Sequence, residues 1–151
     1  MFAVNSILLM TLLALALGEV IDFKACDTND CDIHEVRVEP CPQAESHAAC
    51  NIRRRKPANM SFDFTPRFDA DTLEASLNWV KSNDQELPLI SMEKDACKYT
   101  KCPVKNGEKQ TYQVDIPIES KFPLNYYTIK WNFQAPNGKH CCFTHDIKLV
   151  R

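Results

Sequence analysis
The chain has 151 residues, with 18 Lys and Arg against 20 Asp and Glu, a net charge of −2, and eight cysteines. A chain of this length holds one domain, and the near balance of charge argues against bulk nucleic-acid binding. The apolar run Ile7 to Leu17 is too short for a stable membrane span and ends in Ala16-Leu17-Gly18, the small-residue spacing of a signal-peptidase site.

Residues 1–18 are therefore expected to be a signal peptide and residues 19–151 the mature domain. The protein is expected to be secreted and extracellular, with the lysosomal lumen as the other destination. All eight cysteines follow the leader, and a chain routed through an oxidising compartment forms disulfides in preference to thiolate metal sites. Cys97, Cys102, His140, Cys141 and Cys142 have the atoms for zinc, but four disulfides and no metal are the expectation.

The mature part opens with Ile21 and Phe23 in a short alternating strand, followed by a polar turn from Cys26 to Cys31. In I-H-E-V-R-V-E-P-C-P, Val36 and Val38 alternate against Glu35, Arg37 and Glu39 until Pro40 and Pro42 stop the strand. A loop bracketed by Cys41 and Cys50 leads to the basic run Arg53-Arg54-Arg55-Lys56, then to Met60, Phe62 and Phe64 alternating with polar residues up to Pro66. Ala70 to Asn78 fits a helix capped by Asp71 or a strand with Leu73, Ala75, Leu77 and Trp79 inward; the strand agrees better with the short alternating runs around it. Leu87 to Ile90 is a short apolar segment around Pro88.

Two further alternating runs carry Tyr112, Val114, Ile116 and Ile118, then Tyr127, Ile129, Trp131 and Phe133, separated by a break at Phe122-Pro123. A-P-N-G-K-H is a hairpin turn with Asn137-Gly138 in positions tolerant of left-handed backbone, and Phe143, His145, Ile147 and Leu149 mark the terminal strand. About seven or eight short strands and no convincing amphipathic helix describe an all-β, immunoglobulin-like antiparallel β-sandwich held by disulfides. The cysteine-tryptophan-cysteine spacing of immunoglobulin domains proper is absent, so the pattern speaks to architecture and not to topology.

Val36, Val38, Phe62, Phe64, Ile116, Ile118, Tyr127, Ile129 and Trp131 are the inward candidates, although alternation alone does not separate a cavity wall from a packed core. Cys97 with Cys102 and Cys41 with Cys50 close small loops, leaving Cys26 and Cys31 to meet Cys141 and Cys142. Neighbours in a strand face opposite sides, so one of Cys141 and Cys142 is inner and the other outer. His145 beside Asp146 has no nucleophile in a recognisable motif, and no phosphate cradle or nucleophile elbow is present; an enzyme is not expected.

The segments I-D-F-K-A-C, V-R-V-E-P-C-P, N-M-S-F-D-F, D-A-C-K-Y-T-K-C-P-V, Y-Q-V-D-I-P-I-E-S-K-F-P and I-K-W-N-F, in this order, resemble the ML lipid-recognition domain. That family includes the secreted Niemann-Pick type C-2 sterol carriers and the group 2 mite allergens. The resemblance covers essentially residues 21–150 and implies the pairing Cys26–Cys142, with Cys31–Cys141 as an additional bridge that points to an arthropod member. It also implies that Leu89, Ile118 and Phe122 line a ligand pocket and its mouth. The implied function is a carrier that binds and transfers a sterol or other hydrophobic lipid, without a cofactor, between two sheets. The alternative is innate immune recognition of bacterial lipids such as lipopolysaccharide. The implied partners are a hydrophobic small molecule and a transient membrane or lipid-transfer partner.

Two surface features complete the reading. The run Arg53 to Lys56 is suited to phosphate or carboxylate headgroups, or serves as a solvated segment that guards an edge. Asn59-Met60-Ser61 is an N-glycosylation sequon, and Asn59 alternates away from the inward Met60, so a glycan at Asn59 is expected.

Overall fold
The computed structural model describes residues 18–81, 84–89 and 92–151. The expected leader up to Leu17, and Ile90 at the end of the short apolar segment, lie outside the described residues. Two sheets face each other. The first has the order β1-β3-β5-β8, built from β1 (Glu19–Val20), β3 (Cys31–Glu39), β5 (Pro57–Pro66) and β8 (Gln110–Pro117). The second runs β2-β10-β9-β6-β7, from β2 (Lys24–Ala25), β10 (His140–Val150), β9 (Tyr126–Gln134), β6 (Glu74–Val80) and β7 (Glu86–Pro88), and β4 (Cys50–Arg53) also pairs with β10.

The surplus over the expected seven or eight strands consists of short edge pieces. Ile21 and Phe23 lie outside regular strands, because the opening segment splits between the sheets as the two-residue β1 and β2. One pairing departs from the antiparallel expectation: β4 runs parallel to β10, with Cys50 opposite Ile147 and Ile52 opposite Leu149. From Glu74 on, the ambiguous stretch is strand β6, laddered to β9 on one side and β7 on the other, with Ala75 and Leu77 buried and Trp79 half-buried; Leu73, just before the strand, is buried as well. Two hydrogen-bonding neighbours and a buried face outweigh the helical reading.

The alternation in the sequence is carried into burial. Along β5 every second residue from Ala58 to Pro66 is buried. In β3, Ile33 and Val36 are out of phase, and a register shift between Ile33 and Glu35 inserts the extra residue that returns Val36 and Val38 to the inner face. In the β9–β10 hairpin Gly138 alone takes positive φ (82°), while the Asn137 side-chain oxygen accepts from the Lys139 N–H. Asn137 does not enter the left-handed region, because its side chain satisfies the turn instead.

The two ends of the sandwich differ. At one end Cys31 of β3 bonds Cys141 of β10, and beside it Phe62, Phe64, Tyr112, Phe133 and Phe143 are buried with ring centroids as close as 4.8 Å. Cys142, facing the other way, bonds Cys26, and Cys41–Cys50 and Cys97–Cys102 close local loops. Toward the other end the first sheet presents Met60, Ala58, Val38 and Val114 instead of rings. Smaller side chains between sheets held at a fixed separation leave space between them.

Candidate functional site
That space is an apolar cavity of about 220 Å³. Its second-sheet wall is Leu77 and Trp79 of β6, Tyr127 and Ile129 of β9, and Ile147 and Leu149 of β10; Leu87, Pro88, Leu89, Met92, Ile116, Pro117, Ile118 and Phe122 complete it. A smaller cavity of about 50 Å³ continues inward, sharing Leu77, Leu89, Ile116, Ile118, Ile129 and Ile147 and adding Val38, Ile52, Ala58, Met60, Trp131 and His145. An interior of carbon with so few polar groups suits a guest that brings little polarity of its own.

Of the residues expected at a site, Leu89, Ile116, Ile118, Phe122, Tyr127 and Ile129 line the outer cavity, and Val38 and Trp131 the inner one. Val36, Phe62 and Phe64 line neither cavity. Their side chains are fully packed, with Phe62 in ring contact with Phe64, Tyr112, Trp131, Phe133 and Phe143. They are the filled half of the core, because large rings converge from both sheets where Cys31–Cys141 draws the sheets together. Ile118 reaches the cavity from beyond β8, which stops at Pro117.

Leu77, Trp79, Ile147 and Leu149 were legible as inward residues but not as cavity wall. Period-two alternation reports a face and is silent about which end of that face lacks an opposing ring. Leu87, Pro88 and Met92 come from the edge strand β7 and the chain beyond it, where no periodicity marks them.

The partly exposed lining residues, Leu87–Leu89 on one side and Pro117, Ile118 and Phe122 on the other, mark the mouth of the cavity. Four hydrogen bonds from three residues hold the segment from Ile118 to Phe122 and the proline after it: the Arg55 N–H donates to the Ile118 carbonyl at 2.7 Å, Arg54 Nη1 donates to the carbonyls of Ser120 (2.9 Å) and Phe122 (3.1 Å), and the Tyr127 hydroxyl donates to the Pro123 carbonyl at 2.7 Å. The basic run is thus the turn from β4 to β5, crossing between the sheets at the mouth. Arg54 is bound to the rim, whereas Arg53, Arg55 and Lys56 are exposed. Leu124 (42% exposed) and Tyr126 (62% exposed) follow the rim, with Lys148 Nζ 4.9 Å from the Tyr126 ring centroid and Lys121 Nζ 5.7 Å from that of Phe122.

Asn59 lies on the outer face of β5, where its Nδ2 donates to Asp115 Oδ1 at 2.8 Å. On the same face Arg37 Nη2 meets Asp63 Oδ1 at 2.6 Å and holds that carboxyl down at about 2. Inside the sandwich, burial lowers His145 to about 4, so the ring is neutral at neutral pH.

A family model for the ML domain matches residues 20–149. The chain is 32% identical over 155 residues to an MD-2-related lipid-recognition protein of Manduca sexta, covering 99% of both chains. It is 25% identical over 149 residues to the NPC intracellular cholesterol transporter 2 of Sus scrofa, covering 98% of this chain and 96% of that one. Among solved structures, a Niemann-Pick type C2 protein from Japanese carpenter ant superposes with a TM-score of 0.77 at 24% identity, over 86% of this chain and 100% of the other. With the match spanning residues 20–149 of the 151, this protein belongs to the ML domain family.

Proposed function
We propose that the protein is a secreted, non-enzymatic carrier that holds a sterol or fatty acyl lipid between its sheets and exchanges it through the mouth beside Phe122. The observation that carries this reading is the apolar cavity of about 220 Å³ between the two sheets. Burying roughly 400 Å² of guest surface contributes about 10 kcal/mol before ordering costs are subtracted. The similarity to a cholesterol transporter supports the ligand class. Exposed Leu124 and Tyr126, with Lys121 and Lys148 beside the rim, support transient contact with a membrane during exchange. Secretion follows from the leader, with the lysosomal lumen as a second endpoint, and Asn59 is the proposed glycosylation site.

The test is native mass spectrometry of the secreted protein, together with transfer of a fluorescent sterol and a fluorescent fatty acid between vesicles. A copurifying lipid and protein-dependent transfer support the carrier; an empty protein that accelerates neither transfer overturns it.

A second reading is recognition of a bacterial lipid such as lipopolysaccharide. It is favoured by exposed Arg53, Arg55 and Lys56 at the mouth and by the likeness to an MD-2-related lipid-recognition protein. Under that reading, lipopolysaccharide binding weakens with added salt and drops when those three residues are replaced by Gln, with Arg54 kept for its part in the rim.

A further inference from the structure
The connection from β8 to β9, Ile118 to Asn125, runs across the mouth of the cavity without joining either sheet. Its two ends are clamped by main-chain hydrogen bonds: the Arg55 N–H donates to the Ile118 carbonyl at 2.7 Å, and the Leu149 N–H to the Asn125 carbonyl at 2.9 Å. Its middle is held differently. Among the described residues, the hydrogen bonds that tie the middle to the sandwich come from two side chains, Arg54 of the β4–β5 turn and Tyr127 of β9. A strap without a ladder opens by breaking those few bonds, well short of unfolding.

Tyr127 belongs to the strap and to the cavity at once. It is 6% exposed, and its ring lines the cavity with its centroid 4.7 Å from that of Trp79. Its hydroxyl donates to the Pro123 carbonyl at 2.7 Å. Burial pushes the phenol above its ordinary value while the Arg54 charge pulls weakly back, so the group is a protonated donor at neutral and acidic pH. Phe122, next along the strap, is a cavity-lining residue. Lifting Phe122 to let a guest pass carries the Pro123 carbonyl away from Tyr127. The carbonyl then meets water, but the hydroxyl stays in an apolar wall without a partner, which opposes opening.

We propose that Tyr127 is the latch of the mouth: its ring forms part of the wall for the guest, and its hydroxyl on the Pro123 carbonyl keeps Phe122 closed over the cavity. This rests on the carrier reading above and assigns the residue that sets the exchange rate. The latch closes alike over an empty and a filled cavity, so it governs rates and leaves the affinity nearly untouched.

The experiment is stopped-flow uptake and release of parinarate and of dehydroergosterol, with phosphatidylcholine vesicles as donor and acceptor, in the native protein, Tyr127→Phe and Tyr112→Phe. Tyr112 is the control, because its hydroxyl is buried with no hydrogen-bond partner and its ring lies in the filled half of the core. Each variant removes one oxygen and no carbon, so the packing of both is kept. Tyr127→Phe is expected to speed uptake and release together by about fivefold and to leave Kd within about twofold of the native value. Tyr112→Phe is expected to change neither rate. Native rates in Tyr127→Phe overturn the latch. Faster release matched by an equal loss of affinity also overturns it, since the hydroxyl would then be a contact for the guest. Equal acceleration in Tyr112→Phe overturns it as well, because general loosening of the core would account for the effect. If the native protein takes up neither probe, the carrier reading itself falls and the latch with it.

Discussion

At the scale of single residues, two side chains do work that their sequence neighbourhood does not announce. His145 is buried beside Trp131, and burial lowers it to about 4 from an ordinary 6.5, while the adjacent Asp146 charge pulls weakly the other way. The unfolded chain therefore takes up a proton first as pH falls through 6.5, and the fold loses stability down to about pH 4. Between pH 7 and pH 5 this amounts to about 2 kcal/mol. Urea denaturation at the two pH values should show the loss, and His145→Phe should remove most of the difference. Arg54 is the other: its two hydrogen bonds to Ser120 and Phe122 tie down the rim. Charge-assisted bonds of this kind contribute about 1.5–3 kcal/mol each when buried and less at a partly exposed site. Arg54→Met should cost on the order of 1 kcal/mol and speed release of a bound fluorescent fatty acid several-fold. Stopped-flow release into vesicles measures the rate, and an unchanged rate would show that the rim does not gate exchange.

At the scale of elements, β10 is the organising strand. It pairs β9 along its length on one side and β2 and β4 in turn on the other, and it receives both long-range disulfides. Cys26–Cys142 and Cys31–Cys141 span 116 and 110 residues, so each alone closes nearly the same large loop. With one bridge intact, the second removes only the entropy of the small loop left between them. On a chain-entropy estimate, replacing either pair by alanine costs about 2–3 kcal/mol and replacing both costs about 7 kcal/mol. Chemical denaturation of the three variants tests this; additive losses of about 5 kcal/mol for each pair would contradict the shared-loop argument.

Across the whole molecule, the cavity is a consequence of asymmetry between the two ends of one sandwich. Leu77 borders both the outer and the inner cavity. Leu77→Trp should fill that space and weaken binding of a fluorescent fatty acid by tenfold or more, with a melting temperature within a few degrees of the native protein, because added rings occupy a void rather than a packed site. Unchanged binding in a folded variant would place the guest elsewhere.

The amino-acid order by itself settled which residues face inward and which face water, because the strand period of two is written locally in Val36 and Val38, in Tyr112 to Ile116, and in Tyr127 to Phe133. It also settled the sandwich class and, through the resemblance of six ordered segments, the family. Only the tertiary structure decided which inward residues meet a partner and which meet space. Phe62 and Phe64 read identically to Ile116 and Ile129 along the chain, yet the first pair is sealed by rings from the opposite sheet and the second borders a cavity. That difference depends on which residues stand across the gap between the sheets, which Cys31–Cys141 crosses at one end, and no local pattern encodes the distance between sheets. For the same reason His145 reads as an ordinary histidine beside an aspartate until the fold brings Trp131 to one of its nitrogens and leaves the other without a partner.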